Sequence, residues 1–262
     1  MPDAVVVGSG PNGLVGANVL ADHGWTVVVL EAQDEPGGAV RTDSAVQPGF
    51  RHDTFSAFYP LAVASPAFRS LGLERYGLEW MRAPAVLGNP LPDSGWALLH
   101  RDPERTAAGL DTCHRGDGAA WLRLCQKWEG FGPDLVGAAL SPFPPVRSST
   151  RAATGLLRHL GPAGLTLPLQ SVRRLAGSTF GGEAARLLLA GNALHADFSP
   201  HDLGSGTFGL ILAMLGQTVG YPVPRGGAAA LTQALVRRLE SRGGSVVTRS
   251  EVAGVVIRAG RC

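Results

Sequence analysis

The sequence is short of what several architectures require. Only three of its 262 residues are cysteine (Cys113, Cys125 and Cys262), an odd number with no Cys-x-x-Cys pair. A disulfide framework and a cysteine-ligated zinc site are therefore excluded, no metal site is expected, and a reducing, cytoplasmic compartment is. Lysine occurs once, at Lys127, so arginine makes up the rest of the 23 basic residues, which face 21 acids for a net charge of +2. With no basic run, nucleic acid is not an expected partner. No stretch reaches the roughly 18 consecutive apolar residues of a membrane span. The longest candidate, Phe208 to Leu215, runs straight into Gly216 and Gln217. No basic region precedes the apolar run that opens at Ala4, so no signal peptide is expected and the domain edge is placed at the start of the chain.

What is present is globular: 45% hydrophobic and 17% charged residues, enough for a sizeable core in one large or two ordinary domains. Glycine (36) and proline (19) together make 21% of the chain. That is below the roughly 25–30% of low-complexity chains, so the glycines are expected at specific backbone positions.

Ala4 to Val7 reads as a continuous apolar strand, glycines stand at 8, 10 and 13, Leu14 to Asp22 fits a helix, and Thr26 to Leu30 is a second strand ending on Glu31. This is a βαβ unit, whose unbroken valines suit a parallel strand. Helices are expected at Ser65–Leu71, Pro103–Leu110, Gly118–Glu129, Thr150–His159, Gly182–Ala190 and Leu203–Leu215, with a proline-rich connector at 141–146. After Gly226 and Gly227, a helix from Ala228 to Arg242 is followed by strands Ser245–Thr248 and Val252–Ile257. The expected fold class is thus α/β: a Rossmann-type domain from 1–64 and 221–262, with a mostly helical second domain, 65–220, inserted between them.

Gly8-Ser9-Gly10-Pro11-Asn12-Gly13 satisfies G-x-G-x-x-G directly after a strand and at the opening of a helix. Gly8 permits the tight turn, Gly10 lets backbone approach a pyrophosphate, and Gly13 lets helix and strand pack closely. Partly positive N–H groups at the helix start suit phosphates. Glu31, 21 residues after Gly10, is placed to accept hydrogen bonds from ribose hydroxyls and would repel a 2′-phosphate, which disfavours NADP. The unit by itself leaves NAD and FAD open.

The next segment continues Glu31-Ala32-Gln33-Asp34-Glu35-Pro36-Gly37-Gly38-Ala39-Val40-Arg41-Thr42. Here the sequence resembles the flavin-dependent amine oxidase and phytoene desaturase superfamily, whose second signature is an acid, a glycine pair and an arginine. It looks most like the phytoene desaturase-like branch, through residues 8–14, Pro-Gly-Phe-Arg-His-Asp at 48–53 and Pro-Val-Pro-Arg-Gly-Gly at 222–227. The resemblance implies FAD as cofactor. Ser9, Gly10, Pro11, Asn12 and Gly13 would line the pyrophosphate, with Gly8 at the turn, and Glu31 and Ala32 would line the adenosine ribose. Gly37, Gly38, Arg41 and Thr42 would run beside the ribityl and flavin end, and Val252 would pair its backbone with adenine. Arg41 is equally open to a surface ion pair and Val252 to a plain apolar strand position, while His52 and Asp53 read as a loop turn.

A flavin brings the redox chemistry, which accounts for the lack of any familiar catalytic constellation, and no catalytic residue is assigned. His195, Asp197 and His201 are read as capping or packing residues around the Ser199-Pro200 turn. The implied activity is hydride removal from, or isomerisation of, a hydrophobic small molecule. Family members run to about twice this length, so a missing C-terminal half or a second chain is expected to complete the protein. The alternative is a non-catalytic flavoprotein subunit that binds a partner chain. Peripheral membrane contact is left open, although no strongly amphipathic basic helix is evident.

Overall fold

A computed structural model describes residues 1–92 and 95–257, so Cys262 lies outside the described residues. The chain divides into two compact units, Met1–Met81 with Pro222–Cys262, and Arg82–Tyr221.

The first unit opens with β1 (Ala4–Val7), α1 (Pro11–Asp22) and β2 (Val27–Leu30). It continues through the two-residue strands β3 (Thr42–Asp43) and β4 (His52–Asp53), the helices α2 (Pro60–Ala64) and α3 (Pro66–Leu71), and β5 (Trp80–Met81). Residues 65–81 therefore go with this unit, not with the segment expected from 65 onward. The reason is packing: Leu71, Leu73 and Leu78 join Leu14, Leu231 and Leu235 in one buried cluster. Burying each such leucine contributes roughly 1.5–3 kcal/mol.

The second unit contains a hairpin, β6 (Leu87–Pro90) and β7 (Trp96–Leu99), paired antiparallel. Helices α4 (Pro103–Cys113), α5 (Asp117–Ala139), α6 (Val146–Leu160), α7 (Val172–Thr179), α8 (Glu183–His195) and α9 (Ser205–Thr218) follow. The expected helices are present and mostly longer, chiefly because they run on past their expected ends, α4 to Cys113, α5 to Ala139, α8 to His195 and α9 to Thr218; Asp102 caps α4 by accepting from the Glu104 and Arg105 N–H groups. The hairpin and α7 escape sequence patterning because they are short: β6 and β7 have four residues each and α7 has eight, only three of them apolar. Residues Leu210 to Leu215 of α9 are buried core. Gln217 at its end accepts from the Trp121 indole (2.8 Å) and donates to the His100 carbonyl (2.7 Å).

One expectation is corrected by α6. Arg147, Arg151 and Arg158 fall on one side of it, while Val146 (66% exposed) and Leu157 (47%) stand out to solvent beside them. It is a basic amphipathic helix, masked in the sequence because its inward face is built from the small residues Ala152 and Gly155 with only Leu156.

The chain returns to the first unit through β8 (Val223–Pro224), α10 (Ala229–Ser241) and β9 (Ser245–Val247). The parallel sheet has the order β1-β2-β9, with Val28 opposite Ser245 and Leu30 opposite Val247. Helices α1 and α10 cover one face, where Ala17, Ala21, Val27, Val29 and Leu239 form a core. On the other face Val5 (53%), Val7 (58%) and Val247 (43%) are exposed. Arg238, buried at 4% exposure, ties α10 to α1 by donating to Asp22 (2.9 Å) and Asn18 (3.1 Å), and it also donates to the Leu71 carbonyl (2.7 Å). The second expected strand, 252–257, does not form. Residues 251–257 have no ladder partner among the described residues, and Val255, Val256 and Ile257 are 63–69% exposed. Apolar, β-branched composition makes a strand only where a neighbour offers an edge.

Candidate functional site

The site is built at the carboxyl end of β1 and β2. Gly8 takes φ +89°, outside the range of most side chains, and turns β1 into α1. A Cβ at Gly13 would overlap the Gly8 carbonyl oxygen, so glycine there is what lets α1 sit against the turn. Beyond Gly8 and Gly10 the space is open: no heavy atom lies within 4 Å of where their Cβ atoms would be. Helix α1 starts with Pro11 at its first position and no side-chain cap. As first-turn groups, the N–H groups of Asn12 and Gly13 have no intrahelical acceptor.

Ser9 is the tie of the site. Its side chain is fully buried, so it does not face the opening as expected, and it holds Glu31 instead. Glu31 Oε2 accepts from the Ser9 N–H at 2.8 Å and from the Ser9 hydroxyl at 2.5 Å. Glu31 Oε1 accepts from the Gln33 N–H at 2.9 Å. Burial pushes the Glu31 carboxyl up, but the hydrogen bonds from Ser9, Gln33 and the Ala32 backbone outweigh it and hold the group below its ordinary range. Glu31 is thus an ionised acceptor, oriented by its donors and 8% exposed. The Ser9 hydroxyl also accepts from the Gly37 N–H at 3.3 Å, which draws in the second glycine segment. Gly38 (φ +57°) lies on the turn so closely that a Cβ there would stand 3.1 Å from the Gly10 Cα. The structure therefore brings Gly8 to Gly13, Glu31, Ala32, Gly37 and Gly38 together.

Thr42 and Asp53 sit at a different place. The Thr42 hydroxyl donates to Asp53 at 2.6 Å, Asp53 accepts from the Ala228 N–H at 2.7 Å, and Thr42 accepts from the Ala229 N–H at 3.0 Å. The β3–β4 hairpin thereby caps the N-terminus of α10, satisfying donors that a helix start leaves orphaned. Sequence reading missed this pairing; the glycine pair 226–227 ahead of α10 was its only signal. The guanidinium of Arg41 lies 6.0 Å from the Phe55 ring centre, and His52 pairs with Asp43 at 2.8 Å. Val252 is half-buried beyond a crossing in which Ser250 N–H bonds the Glu31 carbonyl (2.8 Å) and Arg249 N–H bonds that of Gln33 (2.9 Å).

In the second unit, Asp197 ends the turn after α8 with φ +61°. His201 contacts Arg173 at 3.3 Å. Burial, reinforced by Glu129, pushes the Cys125 thiol up to about 12, so it stays protonated and is no nucleophile.

Comparison with known proteins agrees with this geometry. Residues 6–71 match the family described as NAD(P)-binding Rossmann-like domain. The chain is 26% identical to a phytoene desaturase (neurosporene-forming) of Cereibacter sphaeroides, covering 98% of this chain and 48% of that protein. It is 30% identical to a limonene dehydrogenase subunit of Castellaniella defragrans over 61% of this chain and 28% of that protein. Among solved structures, a putrescine oxidase superposes with a TM-score of 0.56 at 16% identity, over 95% of this chain and 50% of its own. The chain spans about half the length of the desaturase and of the oxidase. By sequence and fold the chain is thus similar, over about half of their length, to proteins of the phytoene desaturase and amine oxidase type, with a Rossmann-type nucleotide-binding domain in common.

Proposed function

We propose that this chain is the FAD-binding half of an oxidoreductase that removes hydride from, or isomerises, a hydrophobic small molecule, and that a complementary C-terminal half completes it. One observation carries the flavin reading. The Gly37–Gly38 segment is packed on the Gly10 turn and tied through Ser9 to Glu31. A nicotinamide-only unit has no need of that second segment. The open space beyond Gly8 and Gly10, the uncapped start of α1 and the ionised Glu31 carboxylate at the end of β2 fit a pyrophosphate and a ribose hydroxyl. Gly37, Gly38, Arg41 and Thr42 extend the path toward the ribityl end, and Val252 toward adenine. FAD supplies the hydride acceptor when bound. The chain's own residues bind and orient it.

The second half is supported by the sheet. Parallel sheets are covered on both faces, yet Val5, Val7 and Val247 are bare on one face here. The limonene dehydrogenase relative is named as a subunit, a part of a multi-chain enzyme, which fits a partner chain. Among the described residues no helix is long and apolar enough to cross a membrane, and a cytoplasmic location suits the free thiols Cys113 and Cys125.

The test is flavin absorbance after gel filtration, with mass spectrometry of the released cofactor, for the chain alone and co-expressed with the C-terminal half of a relative. FAD retained at far higher occupancy in the co-expressed pair is expected. NAD as the released cofactor overturns the flavin reading. A stable, stoichiometric yellow monomer that turns over substrate alone overturns the need for a second half, and FAD bound without turnover in the completed pair favours the non-catalytic subunit.

Peripheral contact with an anionic membrane surface is supported by the arginine row and exposed Val146 and Leu157 of α6, preceded by Phe143 at 94% exposure. Flotation with vesicles containing anionic lipid is expected to carry the protein, less so for Arg147→Gln/Arg151→Gln/Arg158→Gln. Equal flotation with neutral vesicles counts against it.

A further inference from the structure

The helical second unit contains a cavity of about 290 Å³ that the flavin reading leaves unused. Its apolar wall is formed by the half-buried Leu124, Leu160 and Leu175, backed by the fully packed Phe131, Leu167 and Leu210, so a ligand's apolar part would meet exposed hydrocarbon on a rigid support. Its lining also includes Arg123 and Lys127, one turn apart on α5, and Ser178 of α7. Neither cation has an acidic or hydrogen-bonding partner among the described residues. Like charges at this i,i+4 spacing repel, and an anion placed between them relieves the repulsion. Lys127 is also the only lysine in the chain.

An apolar floor with two unpaired cations selects a ligand that has both a hydrocarbon chain and an anionic head. Size narrows it further. At roughly 30 Å³ per water-sized volume, the cavity holds about ten non-hydrogen atoms, the lower end for ligand pockets. We propose that it binds a medium-chain carboxylate, the chain lying on Leu124, Leu160 and Leu175 and the carboxylate between Arg123 and Lys127. The proposal does not depend on the flavin reading, since every one of these residues lies on α5, α6 or α7.

Titration calorimetry of the purified protein with octanoate, 1-octanol and acetate tests it. Saturable one-to-one binding of octanoate at millimolar concentration is expected, with octanol about fivefold weaker and acetate not saturating. Arg123→Gln/Lys127→Gln is expected to weaken octanoate about fivefold, the scale that two partly exposed ion pairs supply, and to leave octanol unchanged. Both residues are exposed, so the variant is expected to fold. A second variant, Ser178→Trp at the exposed rim, is expected to weaken octanoate and octanol alike by filling the entrance. The proposal is overturned by any of four results: no saturable octanoate binding, octanol as tight as octanoate, acetate as tight as octanoate, or unchanged octanoate affinity in both variants.

Discussion

Glu31→Arg is expected to abolish FAD retention and to destabilise the protein by roughly 3–5 kcal/mol, read from flavin occupancy and urea unfolding. Glu31 is 8% exposed, and its carboxylate is the acceptor for the Ser9 N–H, the Ser9 hydroxyl and the Gln33 N–H. An arginine there turns three satisfied donors toward a buried cation, and breaking a buried charged arrangement from one side costs about that amount. It also places positive charge where the ribose acceptor stood. The neutral variant Glu31→Gln separates the two effects through pH. The hydrogen bonds hold the carboxyl below its ordinary value near 4.5, so the unfolded chain binds the proton more readily than the folded one. The stabilisation from Glu31 is therefore complete above that ordinary value and is lost as pH falls through the lower, folded value. Urea midpoints measured from about pH 6 to pH 3 should fall less steeply for Glu31→Gln than for the parent. Parallel acid limbs, or unchanged flavin occupancy in Glu31→Arg, would remove Glu31 from its assigned place.

Gly13→Ala is expected to cost about 2–3 kcal/mol and most of the flavin occupancy, although one methyl is all that changes. That methyl would overlap the Gly8 carbonyl oxygen, a backbone atom that can yield only if α1 lifts from the β1 turn. The control is Gly16→Ala, one turn along the same helix, where nothing lies within 4 Å of the added carbon. There, alanine is expected to stabilise by roughly 0.5–1 kcal/mol through helix propensity and a less flexible unfolded chain. If thermal unfolding shows both variants equally tolerated, the close approach is not what positions the first-turn N–H groups.

The βαβ unit was legible because its signals are local. Four apolar residues in a row, glycines spaced two and three apart, and an acid at the next strand end report on neighbours a few residues away, and β1, α1 and β2 formed where that pattern put them. The helices of the second unit were legible for the same reason. The hairpin 87–99 and α7 were not, since segments of four to eight residues with few apolar positions show no clear period. The strand expected at 252–257 failed on the opposite count: its composition was right, but strand formation needs an edge supplied from elsewhere in space.

By itself, then, the sequence determined the glycine turn between β1 and α1, the acid that follows it and the class of protein they resemble, because backbone geometry at glycine and helix or strand period are properties of short segments. Only the tertiary structure decided how those residues act together. It buried the Ser9 side chain beneath the turn as the tie between Glu31 and Gly37, set Gly38 against Gly10, and used Thr42 and Asp53 to cap a helix that starts at Ala229. Among the described residues it also left Arg123 and Lys127 without acid partners beside an apolar cavity. Each of these is a meeting of residues far apart in the chain, and what selects such a meeting is close packing and the pairing of buried polar groups, which no local pattern encodes.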